Sequence, residues 1–194
     1  AIADEGSRFL VDPEFAIERL VTNEQAGSLI AMAFNANGDI LASQEGGPLM
    51  LIRKNEAGAY DRVAPYCEQV RNIQGILPLG NRVFAVGDGP EGGALYQLTD
   101  KNSDGVSDEL AALVKFEGTI GEHGPHTVRL GPDGLLYVLS GNFAHPIGEI
   151  HPKSPYQTLY EGDLVQPRYE DPQGYAVTIK APGGAIYRTD TSGS

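Results

Sequence analysis

The chain has 194 residues, 41% of them hydrophobic, enough to bury the core of one domain and too apolar for a disordered tail. Its formal net charge is -12, with 14 basic against 26 acidic residues, which argues against nucleic acid and anionic membrane surfaces as partners. Its single cysteine, Cys67, cannot form an internal disulfide, and no apolar run reaches the length of a membrane span.

Gly 25, Pro 13 and the absence of Trp favour short strands joined by many turns. The chain begins at Ala1 without Met or a signal peptide, as an exported protein does after cleavage and as a trimmed chain also would. The first expected strand is FAIERLVT, 15 to 22. IAMAFNANGDILAS (30 to 43) then reads as a hairpin, because Asn, Gly and Asp tolerate the backbone angles of a tight turn. A glycine turn and an alternating strand follow in GGPLMLIRKN (46 to 55), then a strand in YDRVAPYC (60 to 67). The plan repeats: a hairpin in IQGILPLGNRVFAVG (73 to 87), a glycine-led strand in GGALYQLTDK (92 to 101), and ELAALVKF (109 to 116). Composition alone would also suit a helix in this last segment; the repeat assigns it a strand. A third hairpin, HTVRLGPDGLLYVLS (126 to 140), is separated from its glycine-led strand GGAIYRTDTS (183 to 192) by a long irregular segment, 143 to 182.

Hairpins recurring every 45 to 50 residues or so, in units of four strands, indicate an all-β fold: a β-propeller of four-stranded antiparallel blades. About three blades are present. Rings close with roughly four to eight, so residues 1–194 read as one partial domain of a six-bladed ring, completed by the rest of the protein or by another chain. The insertion 143–182, rich in Pro and Tyr and holding His145 and His151, reads as a functional loop of the third blade.

Two places carry chemistry. GEHGPHTVRL sets His123 and His126 in one loop, where an imidazole could serve as a base if a partner fixed its tautomer; Glu122 is the neighbouring carboxylate. Turn packing is the plain alternative, and a zinc or iron site with His145 and His151 lacks a diagnostic spacing. In DKNSDGVSDE (100 to 109), Asp100, Asn102 and Asp104 place oxygens at alternate positions, Gly105 supplies the turn, Val106 offers its carbonyl and Asp108 a further carboxylate. That is the ligand order of a structural calcium loop without the final bidentate Glu, or else a turn rich in Asx hydrogen bonds. No phosphate-binding G-x-x-x-x-G-K-[ST], no G-x-S-x-G and no CxxCH is present, so nucleotide, esterase and covalent c-haem readings have no support.

The order FAIERLVTN, AMAFNANGDILASQEGGPLMLI, NIQGILPL, EHGPHTVRLGPDGLLYVLSGN, insertion, GGAIYRTDTSGS resembles the glucose and sorbosone dehydrogenases. These are six-bladed propellers that use pyrroloquinoline quinone (PQQ). The likeness is nearest to their exported relatives described as membrane-bound dehydrogenases, and covers about the first half of such a ring. It implies a PQQ-type sugar or alcohol dehydrogenase in which a histidine takes a hydroxyl proton while hydride passes to the quinone. His123, eight positions before Gly131 of GPDG, falls on that base, and Glu122 on its acidic neighbour. Gln74 and Asn142 fall on quinone-pocket positions, and His126 stands in the same loop where the family has a small residue. The resemblance further implies PQQ and calcium as cofactors, a periplasmic or extracellular location and a cytochrome as acceptor. The family's calcium and its cationic quinone contacts come from later blades. The competing expectation is a non-catalytic propeller that binds a ligand or protein partner through 143–182.

Overall fold

The computed structural model describes residues 9–118, 120–121, 123–154 and 184–194. Every strand pairing among them is antiparallel. Blade 1 is β1 (Leu29–Phe34), β2 (Ile40–Gln44), β3 (Leu49–Lys54) and β4 (Tyr60–Cys67), hydrogen-bonded in that order. Blade 2 is β5 (Arg71–Leu79), β6 (Arg82–Gly89), β7 (Gly92–Thr99) and β8 (Glu109–Gly118). Blade 3 contains β9 (Pro125–Leu130), β10 (Leu136–Ser140) and, beyond the insertion, β12 (Ala185–Thr189). The propeller reading therefore holds in strand order and in the position of the three hairpins.

The turns form for the reasons their residues imply. Asn35 Oδ1 accepts hydrogen bonds from the N–H groups of Asn37 and Asp39, both at 2.9 Å, and Asn55 Oδ1 does the same for Ala57 and Ala59 at 3.0 Å. Such Asx caps hold the backbone in a turn before the partner strand forms. Gly38 and Gly134 take φ of 79° and 78°, a region that a side chain disfavours.

Blade 2 has no solvent face. Alternate residues of β6 and β7 point to opposite sides, and both sides are covered. Val83, Ala85, Ala94, Tyr96 and Leu98 pack on blade 1 through Leu41, Leu49, Leu51 and Tyr66. Phe84, Val86, Leu95 and Phe116 pack on blade 3 through Val128, Leu136 and Val138. Two continuous apolar layers thus hold three sheets side by side. Cys67 is buried at the end of β4, as its strand setting implied.

Two expectations are corrected. Residues 15–22 form no strand: Phe15 and Ile17 are exposed, and only Val21 reaches the core, packing with Ala26 on the outer face of blade 1. Its apolar residues fall in runs, 15–17 and 20–21, rather than at alternate positions, and blade 1 draws its four strands from 29 to 67 instead. A short helix, α1 (Asn23–Ala26), follows instead, capped by Gln25 Oε1 accepting the Thr22 N–H at 2.9 Å. Second, the insertion is not irregular from its start. β11 (Ala144–Pro146) pairs with β8, Ala144 opposite Gly118, and adds a fifth strand to blade 2. Residues 155–183 lie outside the described residues.

Antiparallel connections alternate between the two ends of each sheet. The 45–48 turn, the entry to β5, the segment before β9 and the start of the insertion gather at one end. The 35–39, 80–81 and 131–135 turns and the 100–108 loop gather at the other. The inner strands of blades 2 and 3 nearly touch: a Cβ built on Gly75 would lie 2.6 Å from Thr127 Cα and 2.9 Å from the Val128 nitrogen. Those are backbone atoms and cannot yield. Gly75→Val is expected to lower unfolding free energy by about 1–3 kcal/mol, the range for an overfilled core, read by denaturant titration.

Candidate active site

The residues before β9 and after β10 meet at the first of these ends. β9 and β10 are hydrogen-bonded neighbours, and their register shifts between Leu139 and Ser140, which makes room for the extra residue His126. Beyond this bulge the two chains stay locked: Gly141 N–H donates to Gly124 O at 2.8 Å and Phe143 N–H to His123 O at 3.0 Å. Gly141 must be glycine here, because a Cβ would lie 2.7 Å from His123 Cα.

This frame fixes His123. Its φ is 65°, a left-handed value that a non-glycine residue adopts at a cost of order 1–3 kcal/mol when its surroundings demand it. The ring stacks on Phe143, centroids 5.0 Å apart at 29°. Nδ1 lies 2.8 Å from Asn142 Oδ1. An amide oxygen can only accept, so this contact places the proton on Nδ1 and the basic lone pair on Nε2. Histidine and asparagine, foreseen separately, are thus one unit: Asn142 orients the imidazole rather than merely lining a pocket.

Gln74 comes from blade 2 at the same end. β5 pairs Arg71 with Asp88 and next Gly75 with Val86, so residues 72–74 form a bulge. Asn72 within it has φ 49°. Gln74 Nε2 donates to Asn72 Oδ1 at 3.0 Å and to Asn72 O at 3.3 Å. Asn72 N–H donates to Gly47 O of blade 1 at 3.3 Å, and a Cβ built on Gly121 would sit 3.5 Å from Asn72 Nδ2. Asn72 therefore joins blade 2 to the blade 1 turn and lies near Gly121, at the start of the His123 loop, with Gln74 hydrogen-bonded to it. Loss of hydration raises the Asp88 carboxyl above its usual range, against an Asn72 side-chain hydrogen bond that lowers it.

His126 is half-buried in the β9 bulge. Glu122, expected beside His123, lies outside the described residues. Asn72 and Phe143 were not foreseen. A bulge is not visible in one strand's pattern, and the stacking partner of His123 is set by a pairing across the hairpin.

The proposed calcium ligands lie at the opposite end, between β7 and β8. Asp100 Oδ2 accepts the Gly105 N–H at 2.9 Å, Asn102 Oδ1 the Asp104 N–H at 3.0 Å, Asp104 Oδ1 the Val106 N–H at 2.8 Å and Asp108 Oδ2 the Lys101 N–H at 2.6 Å. The loop is folded by Asx contacts, and among the described residues no three His, Cys, Asp or Glu side chains form a ready metal cluster.

Asp88 gives a test of the electrostatics at the candidate active site. Its folded-state pKa exceeds the unfolded one, so its contribution is full below the unfolded pKa and is lost as pH rises through the folded value. At neutral pH the charge is a cost. Asp88→Asn is expected to raise the melting midpoint at about pH 7 and to leave it unchanged at about pH 3.

No family model matches the chain, and no curated protein does. Among solved structures it is similar to an oxidoreductase described as a glucose dehydrogenase from Thermus thermophilus, at 23% identity and TM-score 0.51, over 86% of this chain and 44% of that one. It is also similar to the holo PQQ domain of pyranose dehydrogenase from Coprinopsis cinerea, at 15% identity and TM-score 0.47, over 59% of this chain and 28% of that one. The chain spans less than half the length of either. The first likeness is one of fold: three blades arranged as in a glucose-dehydrogenase-type propeller.

Proposed function

We propose that the chain forms part of a quinone-dependent sugar or alcohol dehydrogenase, with His123 as its base. The carrying observation is the His123–Asn142 pair, whose 2.8 Å contact sets the tautomer of an imidazole held in a left-handed backbone by its surroundings. A general base needs a fixed tautomer within reach of the proton it takes, and strained backbone clusters at functional sites. An imidazole, the amides of Asn142 and Gln74, and Arg71 one residue before Asn72 in β5 are the groups of this end that would hold PQQ. Gln74 and His126 would hold the quinone, which when bound supplies the two-electron acceptor.

His123 Nε2 would take the proton of the substrate hydroxyl while the geminal C–H leaves as hydride, giving a carbonyl product. Asn142 Oδ1 would stabilise the imidazolium through the Nδ1–H it already accepts. Phe143 would fix the ring plane and exclude water from one face. Glu122 remains a proposed second partner of the imidazole, by analogy with the resemblance.

The rest of the reading follows the same resemblance. The protein acts outside the cytoplasm, in the periplasm or beyond, and passes electrons to a cytochrome. Further blades, from the same protein or another chain, complete its ring. The open sides of the fan support this last point. Met32 and Phe34 of blade 1 are 57% and 58% exposed, and Ile186 of blade 3 is 67% exposed. Large apolar side chains left on a sheet face are normally covered by another surface.

The test is reconstitution of the protein with PQQ, followed by quinone absorbance and sugar-dependent dye reduction. His123→Gln is expected to keep quinone uptake and cut turnover by about 10²–10⁴-fold, the usual worth of a general base. Asn142→Leu should cost about tenfold, the equivalent of one hydrogen bond of roughly 1.4 kcal/mol. Failure to take up quinone or to reduce dye with any sugar or alcohol would favour a non-catalytic, ligand-binding propeller.

A further inference from the structure

We propose that the β7–β8 loop, which is hydrogen-bonded to blade 1, binds a calcium ion through Asp100. The observation is a buried oxygen. Asp100 is 9% exposed, and its Oδ1 is buried without a hydrogen-bond partner, while its Oδ2 accepts the Gly105 N–H. A carboxylate oxygen shut away from water without a donor is costly, and a cation removes the cost. Among the described residues no ion pair does so: the Arg53 guanidinium packs beside Gly105 in the same pocket but makes no ion pair with Asp100. Lys101 is turned away, its ammonium on Glu109.

The loop is arranged so that further oxygens are at hand. Asp108 gives Oδ2 to the Lys101 N–H and keeps Oδ1. Asp104 gives Oδ1 to the Val106 N–H; its Oδ2 meets the Asn102 amide at 3.0 Å, a contact that ion binding would break by turning the Asn102 oxygen inward. The Val106 carbonyl supplies another ligand. Ser103, with φ 60°, and Gly105, with φ 94°, give the sharp bend that brings position six of the loop back over position one. Hard oxygen ligands of this number and flexibility suit calcium better than the small octahedral shell of magnesium. The carboxylates do not converge beforehand, so the last ligands gather on binding.

The loop also touches blade 1: Ser107 N–H donates to Tyr66 O of β4 at 2.8 Å, while Asp100 N–H donates to Asn81 O within blade 2 at 2.9 Å. Asp100 shares a pocket of about 110 Å³ with Tyr66, Arg53, Asn35 and Asp39, which joins the ends of blades 1 and 2. This inference stands apart from the dehydrogenase reading, since the loop lies at the other end of the sheets from His123.

Terbium is the probe, because Tyr66 beside Asp100 can sensitise its luminescence. The purified protein, freed of metal by chelator and without quinone, is titrated with Tb³⁺ and then Ca²⁺, and its melting is followed with each. Calcium should quench the terbium signal and raise the melting midpoint by several degrees, with magnesium much weaker. Asp100→Asn should weaken calcium at least tenfold. Asp104→Asn keeps the acceptor for the Val106 N–H, so it should fold and still lose at least tenfold. A melting curve indifferent to calcium, an equal response to magnesium, or a calcium response unchanged in Asp104→Asn would overturn the proposal.

Discussion

Sheets of this kind cannot stand alone. A four-stranded antiparallel sheet with apolar residues on both faces must be covered on both, and here β6 and β7 carry such residues at consecutive positions. Phe84 and Ala85, or Leu95 and Tyr96, are neighbours in sequence but belong to opposite layers of core. This two-sided burial forces blade 2 between two others and fixes their spacing near the close approach at Gly75. The site residues inherit their positions from that stacking. His123, Asn142 and Phe143 come from blade 3 and its insertion, Asn72 and Gln74 from blade 2, and they share one end of the fan only because the sheets are held in register.

Much of the fold could be read from the chain. The Asn, Asp and Gly residues of the hairpin turns act through local hydrogen bonds, so they signal their turns without help from distant residues. The alternation of β10 is likewise local. What could not be read depends on partners far along the sequence. The repeat assigns FAIERLVT a strand, but a strand exists only where another strand's edge takes it up. Ala144–Pro146 are a weak strand by composition and become one because β8 offers an edge.

The candidate active site was legible to a similar degree. His123, Asn142 and Gln74 stood out by their place in the repeat. Their relation did not: the contact from Nδ1 to Asn142 Oδ1 spans 19 residues and depends on a register shift in the β9–β10 hairpin. Among described residues the non-glycine left-handed backbones are Asn72, His123 and Ser103, two at the imidazole end and one in the acidic loop. Neither the identity of these residues nor their neighbours in sequence announces that strain. Strain gathered at the two ends, away from the layers of core, is where the molecule departs from its most relaxed geometry for a purpose.

The β8–β11 pairing couples the two blades mechanically. Immediately after Phe143 the chain leaves blade 3 and is stitched to the outer edge of blade 2, so the imidazole clasp and this stitch share one short length of backbone. Loosening the seam would draw Phe143 and Asn142 away together, and the state of the imidazole would then report whether two neighbouring sheets were still laced at their rim.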